Sequence, residues 1–227
     1  MKTYDQIRVS IVDYGLGNLF SIKHAWNHIG IKAEITSSKD TILNSNLVVL
    51  PGVGAFADAM YSLNSLDLSN TIKEVAQSET FIISICLGMQ LLMSKSYEFG
   101  EHNGLDIIKG QVLPLKNNND QVKIPQVGWN KITKYNSHGL DWNNSPLKKL
   151  PDNSYMYFVH SFYVAPIEKD IILSTTKYGE INFCSSLQSN NIFGFQFHPE
   201  RSGPNGLQIY QNLAELTFNK YKNRSYI

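Results

Sequence analysis

The sequence predicts an α/β fold, in which a mostly parallel central sheet is flanked by helices and extended by an antiparallel strand region. Strand-like and helix-like segments alternate through the first half, as they do where right-handed crossovers join parallel strands. One of these strands runs directly into a helix at SICLGMQLL, residues 84–92. The second half contains successive strand-like segments instead. At 227 residues the chain is interpreted as one domain, 1–227.

The first half contains short apolar, β-branched runs that alternate with segments of helical spacing and propensity. The predicted strands are 8–14, 32–36, 47–50 and 81–85. The predicted helices are 18–30, closed by Gly30, a segment from about 56 to 77, and LGMQLLMSK after residue 86.

The second half begins with two segments rich in Asn, Gly and Pro, 116–130 and 134–146, which are predicted to be long loops. Long loops in a compact domain are usually functional or mobile. Four strands and a closing helix are predicted after them, at 155–164, 170–178, 181–188, 191–197 and 207–219.

Composition excludes several classes of protein. A formal net charge of +1 with 17% charged residues gives no basic surface for nucleic acid. The N-terminus has no apolar signal region and no run is long enough to span a membrane, so a cytoplasmic protein is expected. Cys86 and Cys184 are too few for a disulfide framework, and neither has zinc-ligand spacing. No metal or cofactor is predicted, because His24 and His28 lack a third ligand in register.

Cys86 stands at the predicted corner between the strand 81–85 and the following helix. A nucleophile at such a corner needs small residues two positions before and after it, and Ser84 and Gly88 occupy those positions. The corner would expose the sulfur at the carboxyl end of the sheet and direct N–H groups of the helix beside it. The alternative is that Cys86 is a small buried hydrophobe.

A candidate base for this thiol lies in GFQFHPERSG, residues 194–203. Pro199 favours an extended backbone before it, so His198 and Glu200 are expected to project to the same side. The histidine would accept and return the thiol proton, while the carboxylate would fix its tautomer. A surface loop is the alternative, but the presence of Cys86 favours a Cys-His-Glu triad.

A third segment, VVLPGVGAFADAM at 48–60, places Gly52, Val53 and Gly54 directly after a strand. Such a loop lets the backbone approach a ligand and offer an N–H to an oxyanion. An ordinary Pro-Gly turn is the alternative.

Five segments together resemble one family, and they span nearly the whole chain in the right order. The resemblance is to the class I (triad) glutamine amidotransferases and, among these, to the glutaminase subunits of imidazole glycerol phosphate synthase. The Cys-Leu-Gly and His-Pro-Glu motifs fit any triad amidotransferase, whereas the Met after Gly88, the GWN and the FVHSFY favour this subunit. The matching segments are PGVGAF (51–56), ICLGMQLL (85–92), PQVGWN (125–130), YFVHSFY (157–163) and GFQFHPERSG (194–203).

The resemblance implies a flavodoxin-like amidotransferase fold and hydrolysis of glutamine through a thioester on Cys86, without a cofactor. Leu87 would provide one oxyanion donor, and the loop at Val53 and Gly54 the second. The residues expected to bind glutamine, by their positions in the matching motifs, are Gly52, Gln90, Glu98, Ser161 and Phe162. For Glu98, a solvated carboxylate at a helix end is the alternative.

The resemblance also implies a heterodimer in which a cyclase subunit with a (β/α)8 barrel covers the site and receives ammonia. The residues matching the family's interface are Gln126, Trp129, Asn130 and Arg201. The family usually has Gly at Ser84, His at Gln126 and Lys at Arg201. The last two differences leave open a paralogue whose barrel partner aminates a sugar in surface-glycan biosynthesis.

Two functions of other kinds are also considered. A catalytically silent subunit could use the fold to activate a partner, although the intact triad residues argue against it. A stand-alone cysteine hydrolase could use the same corner on a substrate other than glutamine.

Overall fold

The computed structural model of the chain describes residues 4, 6–116, 122–135 and 140–222. Within these ranges there are thirteen strands and six α-helices. The strands are β1 Val9–Val12, β2 Ala33–Thr36, β3 Leu47–Leu50, β4 Phe81–Ile85, β5 Met93–Ser96, β6 His102–Asn103, β7 Ile108–Pro114, β8 Gln126–Lys134, β9 Ser154–His160, β10 Phe162–Pro166, β11 Ile172–Tyr178, β12 Ile181–Ser189 and β13 Ile192–Phe195. The helices are α1 Leu19–His28, α2 Lys39–Leu43, α3 Phe56–Ser65, α4 Leu68–Gln77, α5 Leu87–Leu91 and α6 Gly203–Lys222, with 3-10 turns at Trp142–Asn144 and Pro199–Arg201.

A large sheet of the described residues has the strand order β2-β1-β3-β4-β13-β12-β11-β8-β9. The pairs from β2 to β13 are parallel, and every pair from β13 to β9 is antiparallel. This arrangement confirms the predicted α/β fold with its antiparallel region. The carboxyl ends of β4 and β13 lie side by side, with Ile85 opposite Phe195, so the segments following them meet at one edge.

A smaller sheet has the order β10-β7-β5-β6. It contains the main departures from the predicted elements, because residues 93–95 of β5 were expected to continue the helix after residue 86. Helix α5 ends at Leu91, and β5 then pairs in parallel with β7. The loop predicted at 116–130 also ends early, since β8 begins at Gln126. Residues 117–121 and 136–139 of the two predicted loops lie outside the described residues.

Two predicted elements are each divided in two. The helical segment 56–77 becomes α3 and α4, which meet at Asp67 with a positive φ of 52°. The strand predicted at 155–164 is broken at Ser161, so that β9 joins the large sheet and β10 the small one. The closing helix extends beyond the predicted 207–219 at both ends.

The two faces of the large sheet pack into separate apolar cores. Val9 and Ile11 of β1 face α1 and α6, where Trp26 and Tyr210 are buried. Val12 faces the opposite core, which contains α3, α4 and α5. Among the described residues no helix combines the length and apolar character that crossing a membrane requires.

Candidate active site

Cys86 lies at the sharp corner between β4 and α5. Its backbone has φ 53° and ψ −109°, a conformation that is costly for a residue other than glycine and is found mainly at functional sites. The corner is held from below, because the Cys86 N–H donates to the Phe195 carbonyl of β13 at 2.7 Å. The side chain is nearly buried.

The corner requires close approach of three backbone segments. A Cβ on Gly88 would lie 2.0 Å from the Leu50 carbonyl oxygen, so only glycine fits between α5 and the end of β3. A Cβ on Gly52 would lie 2.6 Å from the Gly88 nitrogen, which excludes a side chain there also. Ser84 is fully buried and donates a hydrogen bond to the Phe193 carbonyl at 3.1 Å, so a serine is accommodated at this position.

His198 and Glu200 follow β13 at the same edge of the sheet. His198 Nδ1 lies 2.8 Å from Glu200 Oε1, and both side chains are almost completely buried. The carboxylate therefore orients the imidazole and favours the tautomer with a proton on Nδ1. Among the described residues, His198 Nε2 makes no hydrogen bond of ordinary geometry, so it is available to exchange a proton with the thiol.

The electrostatics of His198 couple it to Cys86. Burial alone lowers the pKa of the imidazole, but charge and hydrogen-bond interactions with Cys86, followed by those with Glu200, outweigh burial and raise the pKa to about 10. A raised histidine pKa favours a thiolate-imidazolium pair. The geometry and the charges are thus those of a nucleophile with its base and orienting carboxylate.

A cavity of about 260 Å³ opens beside the sulfur. It brings together eight of the residues predicted from the sequence. Those lining it are Val53, Gly54, Cys86, Leu87, Gln90, Glu98, Ser161 and Phe162, together with Pro125, Val159 and His160. Its walls thus come from the PGVG loop, α5, Glu98 and the junction between β9 and β10.

The predicted oxyanion donors lie on two sides of this cavity. Leu87 is the first residue of α5, so its N–H has no acceptor within the helix. Gly54 has a positive φ of 108°, and Val53 before it is partly exposed to the cavity. The PGVG loop is held in place at its first residue, because the Tyr14 hydroxyl donates to the Pro51 carbonyl at 2.6 Å.

The predicted glutamine-binding residues differ in how many of their polar atoms already make hydrogen bonds within the chain. Gln90 donates from Nε2 to the Phe162 carbonyl at 3.0 Å, and to Gln196 Oε1 at 3.3 Å. The Ser161 carbonyl accepts from the Leu115 N–H at 2.8 Å. Gln90 is therefore held against the β9–β10 junction, and its carbonyl oxygen is the atom that it can direct at a substrate. Gly52 supports α5 and does not line the cavity among the described residues.

Glu98 closes the far end of the cavity and also caps a helix. Its Oε2 accepts the N–H of Phe56, the first residue of α3, at 2.5 Å. The pKa of the carboxyl is raised, because burial outweighs the lowering by the bond to Phe56 and by the nearby His102. A half-buried carboxylate at the rim of this cavity is suited to binding an ammonium group. The position of Glu98 therefore favours a binding role over the alternative, a solvated carboxylate at a helix end.

The residues predicted for a partner interface divide into two pairs. Trp129 is 55% exposed and packs edge-on against the Tyr157 ring at 6.1 Å. Arg201 is exposed and stacks on the same ring at 4.4 Å. The Tyr157 carbonyl in turn accepts the backbone N–H of His198 at 2.9 Å. Trp129, Tyr157 and Arg201 form an exposed aromatic and cationic cluster beside the triad.

Gln126 and Asn130 use their side chains for hydrogen bonds within the chain, and their contact with a partner stays a prediction. Gln126 is buried, with Oε1 3.1 Å from His160 Nε2. Asn130 donates from Nδ2 to the Lys177 carbonyl at 3.0 Å. Residues on one strand alternate between the faces of a sheet, so Gln126 faces inward while Val127 and Trp129 face outward.

Two polar residues of the site were not identified from the sequence. Gln196 is buried and donates from Nε2 to Cys86 Sγ at 3.7 Å. It precedes His198 by two positions, the same spacing that relates His198 to Glu200, and that spacing could have identified it. His160 is buried with Nδ1 2.8 Å from the Phe162 carbonyl, and burial lowers its pKa to about 4. Within the described ranges no three His, Cys, Asp or Glu side chains are grouped to hold a metal.

Sequence comparison identifies relatives along almost the whole chain. A model of the family "Glutamine amidotransferase class-I" matches residues 10–215. "Imidazole glycerol phosphate synthase subunit HisH" of Chlorobaculum tepidum is 42% identical over 208 residues, 92% of this chain and 100% of that protein. The protein of the same name from Carboxydothermus hydrogenoformans is 45% identical over 206 residues, 91% of this chain and 98% of that protein.

Solved structures share the fold at low sequence identity. PurLQS from Thermotoga maritima superposes with a TM-score of 0.66 at 19% identity, covering 92% of this chain and 98% of that one. The glutaminase domain of Trypanosoma brucei CTPS superposes with a TM-score of 0.61 at 14% identity, covering 92% and 94%. The matched length, the fold and the HisH relatives together place the chain in the class I glutamine amidotransferase family.

Proposed function

We propose that this chain is the glutaminase subunit of imidazole glycerol phosphate synthase in histidine biosynthesis. It hydrolyses L-glutamine to glutamate and ammonia and passes the ammonia to a cyclase subunit. The family match and the HisH relatives at 42–45% identity support this function. We further propose that the reaction takes place in the cytoplasm and that the partner is a (β/α)8 barrel.

The observation that carries the proposal is the geometry around Cys86. A cysteine with φ 53° lies beside a buried His198–Glu200 pair at the wall of a 260 Å³ cavity. A cysteine serving only as a buried hydrophobe would not require a strained corner or an adjacent imidazole with a raised pKa.

The first half of the reaction acylates Cys86. The thiolate attacks the side-chain amide carbon of glutamine, and the carbonyl oxygen becomes an oxyanion that Leu87 N–H and the Val53–Gly54 loop stabilise. The imidazolium of His198 donates its proton to the nitrogen as the carbon–nitrogen bond breaks, which releases ammonia and leaves a thioester. Losing one oxyanion donor costs about 3 kcal/mol in such sites.

The second half hydrolyses the thioester. His198, now neutral, removes a proton from water, and the resulting hydroxide attacks the acyl carbon through the same oxyanion site. The carbon–sulfur bond breaks, glutamate leaves, and the thiolate-imidazolium pair is restored. Glu98 holds the substrate ammonium group, and the Gln90 carbonyl oxygen faces the substrate.

The sugar-amination alternative is less well supported than it was from the sequence. One of its two arguments was Gln126 at an interface position, but this side chain is buried against His160. Only Arg201 remains as an exposed difference from the family pattern.

The test is glutamine-dependent formation of product by this chain mixed with the histidine-pathway cyclase of its host and the nucleotide substrate of that cyclase. Cys86→Ala is the control, and ammonia in place of glutamine verifies that the cyclase is active. Turnover with glutamine that the mutation abolishes supports the proposal. If a glutamyl thioester is trapped but no product forms, the result would indicate a different barrel partner. If no thioester forms, the result would support the catalytically silent subunit.

A further inference from the structure

The Glu200 carboxylate has one oxygen that is not hydrogen-bonded. Oε1 binds His198 Nδ1 at 2.8 Å, whereas Oε2 is buried and has no hydrogen-bond partner among the described residues. A buried carboxylate oxygen without a donor is costly, and a carboxylate held at one oxygen only is poorly fixed in rotation.

A donor without a partner lies on the neighbouring helix. Tyr210 of α6 is 2% exposed, and its hydroxyl has no hydrogen-bond partner among the described residues. The carboxylate acts on the hydroxyl: burial raises the pKa of Tyr210 well above its usual value, and the charge of Glu200 raises it further.

The packing of α6 explains why the two groups are close. A Cβ on Gly206 would lie 1.8 Å from the Pro199 carbonyl oxygen, so α6 is pressed directly against the 3-10 turn that carries Glu200. Tyr210 is one helical turn after Gly206 on the same face, and helical side chains lean toward the N-terminus of their helix. The Trp26 ring of α1 packs edge-on against the Tyr210 ring at 4.9 Å and fixes its direction.

We propose that Tyr210 is a positioning residue of the triad, whose hydroxyl donates to Glu200 Oε2 across one bridging water. With both oxygens held, the carboxylate keeps its plane and the His198 ring keeps Nε2 directed at Cys86. Tyr210 acts through Glu200 and does not contact the substrate. The inference deepens the proposed function and rests on it.

The kinetic test is Tyr210→Phe, which removes one oxygen and keeps the ring against Trp26. In the complex with the cyclase, we expect kcat for glutamine hydrolysis to fall about three- to tenfold, the loss of one ordinary hydrogen bond, with KM unchanged. The matched control is Tyr4→Phe, because Tyr4 also packs on α6, against Phe218 at 5.5 Å, but not beside Glu200. An unchanged kcat in Tyr210→Phe would overturn the proposal.

A spectroscopic test on the isolated chain separates this inference from the proposed function. The proton on His198 Nδ1 gives a low-field NMR resonance that reports its hydrogen bond to Glu200, and we expect Tyr210→Phe to shift it while Tyr4→Phe does not. A fall in kcat and melting temperature with an unmoved resonance would mean that Tyr210 supports the fold only, and the inference would fail. A shifted resonance in a chain whose wild-type complex does not use glutamine would retain the Tyr210–Glu200 link and reject the proposed function.

Discussion

The pKa values of two buried histidines, one in the candidate site and one beside it, are shifted in opposite directions. The pKa of His198 is raised to about 10 by Cys86 and Glu200 against the effect of burial, whereas burial lowers the pKa of His160 to about 4. His198 thus carries its proton at neutral pH and His160 is neutral. The difference comes from their partners, since His198 interacts with the Cys86 sulfur and the Glu200 carboxylate while His160 adjoins a carbonyl and an amide.

The first prediction concerns the charge on the sulfur. Cys86→Ala removes the largest interaction that raises the pKa of His198, so its titration midpoint should fall from about 10 when followed by NMR. His198 contributes stability that is fully present below pH 6.5 and is lost as pH rises toward 10, so the variant should lose it at a lower pH. Cys184→Ala, a buried cysteine in the other core, is the control. An unchanged midpoint in Cys86→Ala would show that the two side chains are not coupled.

The second prediction concerns the stability of the protein at acid pH. Because the pKa of His160 is lowered to about 4, the unfolded chain binds a proton between pH 6.5 and 4 that the folded chain does not. Stability should therefore fall in this range as pH falls, by about 3 kcal/mol from this group, in urea unfolding. His160→Asn should reduce that pH dependence, whereas His24→Asn, on the exposed face of α1, should not. An equal acid slope in all three proteins would contradict the assignment.

At the level of elements, the structure shows why some segments could be predicted and others not. β3 and β4 are short apolar β-branched runs buried between neighbouring strands, so their own composition determines them, and both match the predicted bounds. β5 contains Lys95 and has helical propensity, and it becomes a strand through pairing with β7 and β6. The break at Ser161 is equally nonlocal, because β10 pairs with β7, about fifty residues earlier in the sequence.

The residues of the candidate site also divide into those predictable from the local sequence and those that depend on tertiary packing. The corner at Cys86 and the His198–Glu200 pair were predictable because each depends on neighbours within two positions in the sequence, whereas the pairing of β4 with β13 brings the two together. The hydrogen bond of the Gln126 side chain depends on His160, 34 residues away, and the proposed link between Tyr210 and Glu200 depends on how α6 packs on a turn. Those relations come from tertiary packing and leave no local pattern.

The third prediction concerns the N-terminus of α3. Glu98→Gln keeps an oxygen that can accept the Phe56 N–H but removes the negative charge at the cavity rim. We expect KM for glutamine to rise by about tenfold or more with a smaller change in kcat, since the ammonium group is bound equally in ground and transition states. Glu74→Gln, an exposed carboxylate on the neighbouring helix α4, should leave KM unchanged. A fall in kcat alone would show that Glu98 acts on the chemistry and not on binding.

At the level of the whole molecule, one exposed face adjoins the site. The outward residues of β8 and β9 include Val127 and Trp129, and Arg201 extends this face from the turn after β13. Trp and Arg are typical anchors of protein interfaces.

The interpretation of 1–227 as one domain stays a prediction.

The fourth prediction tests this face. Trp129→Ala should weaken binding to the cyclase by about thirtyfold, a typical value for an interface anchor, in a calorimetric titration. Glutamine hydrolysis by the isolated chain should be unaffected, because the ring lies outside the cavity. Tyr61→Ala, a 75% exposed aromatic on α3, is the matched control. Equal affinities of the two variants would place the partner elsewhere.

The position of Tyr157 has a consequence for control of the enzyme. Its ring lies on the outer face between Trp129 and Arg201, while its carbonyl holds the backbone N–H of His198. Two residues further along β9, the Val159 carbonyl faces the sulfur of Cys86 at 3.7 Å. The carbonyls of one strand thus bond to the backbone of the base and face the sulfur of the nucleophile. A protein that bound the Tyr157 ring would therefore contact the element that both groups share, and no separate regulatory site would be needed to connect them.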